Sequence, residues 1–306
     1  MASETSPARI SIYDAAAANR WRTVLLVVAF TAIIALLGYF VGEYFYPGGG
    51  LAVLPFALAL SLGSAFTSYF AGDRIVLAQS QARELAPNEE TELHNVVETL
   101  AIGLGIPVPK LYVIEDSAPN AFATGRDPLH ASVVVTRGLI DKMDRTELEG
   151  VIAHELSHVG NRDIRVMLLV TILVGTVALL ADWMWRSMFW GRGRGRDRGG
   201  GNAIIAVVAI VLAILTPIIA TLIQLAVSRQ REYLADASGA LLTRYPPGLA
   251  SALRKIAADR EVLEVANKAT ASLYIANPLK DAPTFLDHLF DTHPPIEERI
   301  KRLEAM

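Results

Sequence analysis

Two stretches of this chain, Val24 to Gly42 and Leu51 to Gly72, hold no charged residue and run for 19 and 22 residues. At ~1.5 Å of rise per residue, each reaches across roughly 30 Å of hydrocarbon as a helix. Backbone buried in lipid must satisfy its own hydrogen bonds, so these segments are expected as membrane-spanning helices. The turn between them contains Pro47-Gly-Gly-Gly50, which makes the pair a helical hairpin. A cleavable leader does not fit, because the first stretch is too long and a second span follows at once. Arg20, Arg22, Arg74 and Arg83 flank the open ends, whereas the turn offers only Glu43. By the positive-inside rule, the open ends and the chain after Arg74 face the cytoplasm. A composition that is 52% hydrophobic, with a mean hydropathy of +0.36, agrees with a membrane protein.

Two further apolar stretches, Val166 to Ala181 and Ala203 to Ser228, leave more than one topology open. The first is uncharged for only 16 residues before Asp182, and Trp183, Trp185, Phe189 and Trp190 then read as an interfacial belt. The second carries Pro217, a kink that membrane helices tolerate. Between them lies a basic, glycine-rich linker, residues 191–201, read as a solvated tether. Full crossing puts this linker outside, against the charge rule; a shallow hairpin removes the conflict.

The chemistry sits just ahead of the third stretch, in Val151-Ile-Ala-His-Glu-Leu-Ser-His-Val-Gly. His154 and His158, four apart, share one face of a helix, where two imidazoles reach one Zn²⁺. Glu155 lies about 100° further round, beside the metal, where a carboxylate takes a proton from water without being a ligand. Asp144, with Glu147 three residues on, is a helix start that puts the motif in mid-helix. A catalytic zinc site needs a third protein ligand, and Glu232 in Arg231-Glu-Tyr-Leu-Ala-Asp236 supplies a carboxylate. Asp236, one turn on, is the candidate to orient a ligating imidazole, His154 first. The ligands meet only if both ends of the third and fourth stretches emerge on one side. Residues 73–164 and 229–306 then form one discontinuous domain at the membrane surface, with 1–72 and 165–228 as the two hairpins.

Residues 87–105 read as a helix, with Leu93, Val96, Leu100 and Leu104 at helical spacing. Lys110 to Ile114 and Ser132 to Thr136 read as strands, with Asn120 to Gly125 in the loop between them. His293-Pro-Pro-Ile opens a terminal helix whose buried stripe is Ile296, Ile300 and Leu303. Cysteine is absent, which excludes disulfides, a thiolate zinc site and a cysteine protease. A net charge of -3 gives no reason to expect nucleic acid as a partner.

Asn120-Ala-Phe-Ala-Thr-Gly125, His154 to His158 with Asp163 five residues beyond, Glu232 to Asp236, and His293-Pro-Pro-Ile-Glu-Glu-Arg299 together resemble the M48 metallopeptidases, and among them the bacterial HtpX-type membrane proteases. The resemblance spans essentially the whole chain. It implies a predominantly α membrane protein: four apolar helices plus a gluzincin-like α+β zinc peptidase domain with a small sheet. It implies one Zn²⁺ per chain and an endopeptidase of the inner membrane, facing the cytoplasm, that removes misfolded or damaged membrane proteins under stress. It implies that Asn120, Ala121 and Phe122 belong to an edge strand that pairs with substrate, and that His293 donates to the oxyanion or to substrate. Arg299 is a partner for an active-site carboxylate. The expected partners are unfolded or membrane-protein substrates and the bilayer. Two alternatives are a CAAX-type or other processing protease and a non-catalytic zinc-binding adaptor, with Glu155 against the latter. Intramembrane cleavage fits poorly, because Glu147, Glu149, Asn161, Arg162 and Asp163 surround the motif.

Overall fold

The computed structural model describes residues 12–190, 229–266, 270–278 and 294–306. Helices α1 (Ile12–Phe45) and α2 (Gly49–Gln79) form the expected hairpin. The segments Trp21–Glu43 and Gly49–Gln79 are the two among the described residues that are long and apolar enough to cross a membrane. Their outer faces carry exposed Phe40, Phe56 and Phe66, surface that water disfavours and lipid does not. The turn is tighter than expected: Gly49 and Gly50 already belong to α2, and the Glu43 carboxylate accepts from the amides of Gly48 and Gly50 at 2.9 and 3.3 Å.

The rest of the chain follows without a break, since α2 runs past Asp73 and buries Val76 and Leu77. A four-stranded sheet follows, in the order β1 (Arg83–Glu84), β2 (Lys110–Ile114), β4 (Ala131–Thr136), β3 (Ala121–Gly125). Strands β2 and β4 are parallel, and β3 runs antiparallel to β4 with Phe122 opposite Val134. Both expected strands are present. The loop that the residues alone suggested at Asn120 to Gly125 is instead edge strand β3: pairing with the fully buried, valine-rich β4 overrides the weak strand propensity of its alanines.

Helix α3 (Thr91–Leu104) starts four residues later than expected, because residues 87–90 form a turn in which Glu90 adopts a left-handed φ of 46°. It stops where Gly105 takes the left-handed cap, φ 66°. After α4 (Arg137–Lys142), helix α5 (Arg145–Gly160) occupies the middle of the domain. It is flanked by α3, by β3, and by α7 (Arg229–Thr243) and α8 (Pro246–Ala258), and the core cluster gathers Leu93, Val97, Val133, Val151, Leu156 and Leu253. The terminal helix α9 (Ile296–Glu304) buries Leu303 as expected, and Arg299 as well.

Helix α6 (Asp163–Trp190) contains the third apolar stretch within 28 helical residues and packs Val166, Val170 and Leu173 against Leu26, Phe30 and Ile34 of α1. The fourth stretch, the linker 191–201 and His293 lie outside the described residues. Among the described residues, the first two of the four expected apolar helices meet the length and hydropathy of a span.

Candidate metal centre

Helix α5 begins as its sequence dictates. The Asp144 carboxylate accepts from the Glu147 amide at 3.0 Å and Glu147 returns the bond to the Asp144 amide at 2.8 Å, a complete capping box. From Gly150 to Val159 the helix carries only Gly150 and apolar residues apart from His154, Glu155, Ser157 and His158, and every one of these positions is buried. The polar residues are thus held in a dry interior. Helix α7 approaches α5 closely at Gly239, where a Cβ would lie 3.0 Å from the His154 amide nitrogen. That approach brings Glu232 and Asp236 onto the histidines.

The donor atoms of His154, His158 and Glu232 all lie within 4.8 Å of one another. The two Nε2 atoms face each other at 3.2 Å, and Glu232 oxygens stand 3.7 Å from His154 Nε2 and 3.5 Å from His158 Nε2. On the far side of each ring a carboxylate waits: Asp236 Oδ1 is 2.9 Å from His154 Nδ1, and Asp163 Oδ2 is 3.1 Å from His158 Nδ1. Each carboxylate accepts an Nδ1–H, which leaves both Nε2 lone pairs turned inward toward a third anionic donor. Two imidazole nitrogens and a carboxylate converging in a buried site favour a cation, whether a proton or a metal ion. The nitrogen and carboxylate donor set suits Zn²⁺.

The electrostatics agree. Burial works against charge on His158, but the Glu232, Asp163 and Glu155 carboxylates outweigh it and raise its pKa to about 9, a sign of the negative potential offered to a cation. Burial lowers His154, and the neighbouring Arg299 adds to that effect although Asp236 opposes it. Burial, with Glu232 nearby, lifts the Glu155 carboxyl to about 7, near the value at which an acid can both take and return a proton. Glu155 also accepts from the Ala123 backbone amide, so the acid lies against β3.

The structure brings together His154, Glu155, His158, Glu232 and Asp236, all buried, and pairs Asp236 with His154 as expected. Arg299 joins Asp236. Asn120 and Ala121 sit at the start of β3, but their outer groups are engaged: Asn120 Nδ2 donates to Ala276 O at 3.1 Å and Ala121 O accepts from Ile275 N at 2.9 Å. The Phe122 ring packs edge-on against Tyr274, 4.9 Å between centroids, in a separate apolar cluster with Val76 and Leu168. The sequence by itself assigns Asp163 no task. Its only local signal was an acid opening the helix after the motif.

Residues 87–306 match the family model described as peptidase family M48. The chain is 47% identical to a protein named Protease HtpX homolog from Thermoanaerobacter pseudethanolicus, over 97% of this chain and 99% of that one. Proteins of the same name from Dictyoglomus thermophilum and Tropheryma whipplei are 46% and 44% identical, over 97% and 96% of this chain and 95% and 98% of theirs. Among solved structures, the crystal structure of S. mikatae Ste24p aligns with a TM-score of 0.50 at 20% identity, covering 94% of this chain and 66% of that one, a likeness of fold. The chain belongs to peptidase family M48, among the HtpX-type membrane-associated metalloproteases.

Proposed function

We propose that the chain is a zinc endopeptidase of the cell membrane whose site opens on the cytoplasmic side and removes misfolded or damaged membrane proteins. One observation carries the reading: His154, His158 and Glu232 converge with inward lone pairs, while Asp236 and Asp163 occupy the far nitrogens. His154, His158 and Glu232 would hold the ion. When bound, zinc supplies Lewis-acid polarisation of a carbonyl and lowers the pKa of a water. Glu155 accepts the proton of the attacking water and passes it to the leaving amine. Strand β3 aligns an extended substrate from Ala123 onward, since Ala121 O is already engaged by Ile275. His293 is proposed to donate to the oxyanion or to bound substrate.

Orientation rests on the arginines at the open end of the first hairpin and on Glu43 in its turn. The peptidase domain is proposed to comprise residues 73–164 and 229–306, close to the bilayer, because Asp163, a partner of the site, also opens the apolar helix α6. Cleavage of an unfolded membrane protein by the purified chain, lost with chelator and restored by zinc, tests the reading. Stoichiometric zinc without any cleavage would favour the adaptor.

A further inference from the structure

His158 is secured from helix α1 through Asp163. Asp163 Oδ2 faces His158 Nδ1 at 3.1 Å, and its other oxygen, Oδ1, accepts from Asn19 Nδ2 at 2.8 Å. Asn19 lies 144 residues away in sequence, on α1, five residues before the uncharged stretch that starts at Val24. It is 3% exposed, and the same amide nitrogen donates to Asn161 O at 3.0 Å, at the bend between α5 and α6. Arg22 Nη1 donates to Asn19 Oδ1 at 3.3 Å and fixes which way the amide points.

Asp163 is itself 2% exposed, so Oδ1 without a donor would carry a desolvation cost that rotation of the carboxylate would relieve. That rotation takes Oδ2 off His158. Arg231 stands 3.4 Å from Oδ1, but its Nε and Nη1 make no hydrogen bond among the described residues. The Arg231 guanidinium pairs with the charge of Asp163, and the Asn19 amide supplies the hydrogen bond that orients its Oδ1.

We propose that Asn19 is a positioning residue of the metal centre: the Asn19 amide on α1 holds Asp163, Asp163 holds His158, and this hydrogen-bond relay, rather than the apolar packing of α1, sets how tightly the ligands bind their metal. The proposal rests on reading His154, His158 and Glu232 as a zinc site.

Zinc affinity of the full-length protein in detergent, measured by competition with a chromophoric chelator, tests it without proteolysis. Asn19→Leu should weaken zinc binding about 10-fold, as loss of an outer hydrogen-bond partner does, and lower kcat with KM unchanged. Asn19→Gln, which keeps the donor, should recover most of both. Leu26→Ala, on the same helix and 1% exposed, should lower thermal stability and leave zinc affinity as it was. If Asn19→Leu fails to fold, Asn19→Ala takes its place. In an Asp163→Asn background the Asn19 substitution should cost nothing further, because it acts through Asp163. Wild-type affinity in the folded Asn19 variant, or losses that simply add, overturn the positioning role alone. A wild-type protein that binds no zinc overturns the metal reading with it.

Discussion

Arg299 grips Asp236 at two points, Nε to Oδ2 at 2.9 Å and Nη2 to Oδ1 at 2.7 Å, while Asp236 Oδ1 faces His154 Nδ1 at 2.9 Å. A single buried carboxylate thus ties the terminal helix to a histidine of the site. Burial works to raise the Asp236 carboxyl, but the Arg299 guanidinium and His154 outweigh it and hold the pKa at about 2. The remaining nitrogen, Nη1, donates to Ile275 O at 2.9 Å, so every arm of the guanidinium is placed.

Arg299→Lys should therefore not be conservative. Lysine keeps the charge but loses the planar fork, and zinc affinity should fall by about 10-fold. Arg299→Ala leaves Asp236 buried without its cation and should destabilise the metal-free protein by about 3–5 kcal/mol. Chelator competition and thermal unfolding read the two effects. An Arg299→Lys protein with unchanged metal affinity would remove Arg299 from the support of the site.

Glu155→Gln separates the base from the ligands. The carboxyl stands outside the group His154, His158 and Glu232, so the variant should keep about one zinc per chain while cleavage disappears. Glu232→Ala should lose both. Metal analysis beside a cleavage assay decides, and substantial turnover by Glu155→Gln would refute the assigned base.

Glu147 carries a pH-dependent share of the stability. Burial works against its charge, but Lys255 Nζ at 2.5 Å, Ser251 Oγ at 2.7 Å and the Asp144 amide hold the carboxyl below its ordinary value. A depressed folded pKa means that the unfolded chain binds the proton first. The contribution is present above the ordinary glutamate pKa of about 4.3 and is lost as pH falls below it. Glu147→Gln should cost about 1–2 kcal/mol at pH 7, with the difference from wild type closing in more acid solution. Melting both proteins across a pH series checks this, and a gap that widens toward acid would reverse the sign.

What was legible in the sequence and what was not divides by range. The start of α5 could be read because Asp144 and Glu147 carry their signal within four residues, and the strands at Lys110 and Ser132 because β-branched and apolar runs are local. His154, His158 and Glu232 could be picked out as a candidate group because their residue types are rare in combination. Strand β3 could not be read from its own residues, since Ala-Phe-Ala-Thr-Gly becomes a strand only against β4, and only the family resemblance implied it. The tasks of Asp163 and Asn19 could not either: a lone asparagine ahead of an apolar run has no pattern, and its meaning appears only when α1 is packed on α6.

Topology can be tested cleanly because the chain contains no cysteine, so one introduced thiol is the only reporter. The reporter in the first turn should not replace Gly49, where a Cβ would lie 2.6 Å from Gly42 O and wedge the hairpin apart. Tyr46, 72% exposed just after α1, is the better position. In the peptidase domain Leu129 is 76% exposed between β3 and β4, whereas Ser132 is buried. With a membrane-impermeant thiol reagent on intact cells, Tyr46→Cys should label if the orientation proposed from the flanking arginines holds. Leu129→Cys should label only after the membrane is opened. Gly199→Cys, in the basic linker, then reports on the second hairpin: labelling in intact cells means that both of its segments cross, and labelling only in opened cells means that the hairpin dips into the cytoplasmic leaflet and returns. Labelling of Leu129→Cys from outside would place the peptidase domain on the opposite face and overturn the orientation drawn from Arg20, Arg22, Arg74 and Arg83.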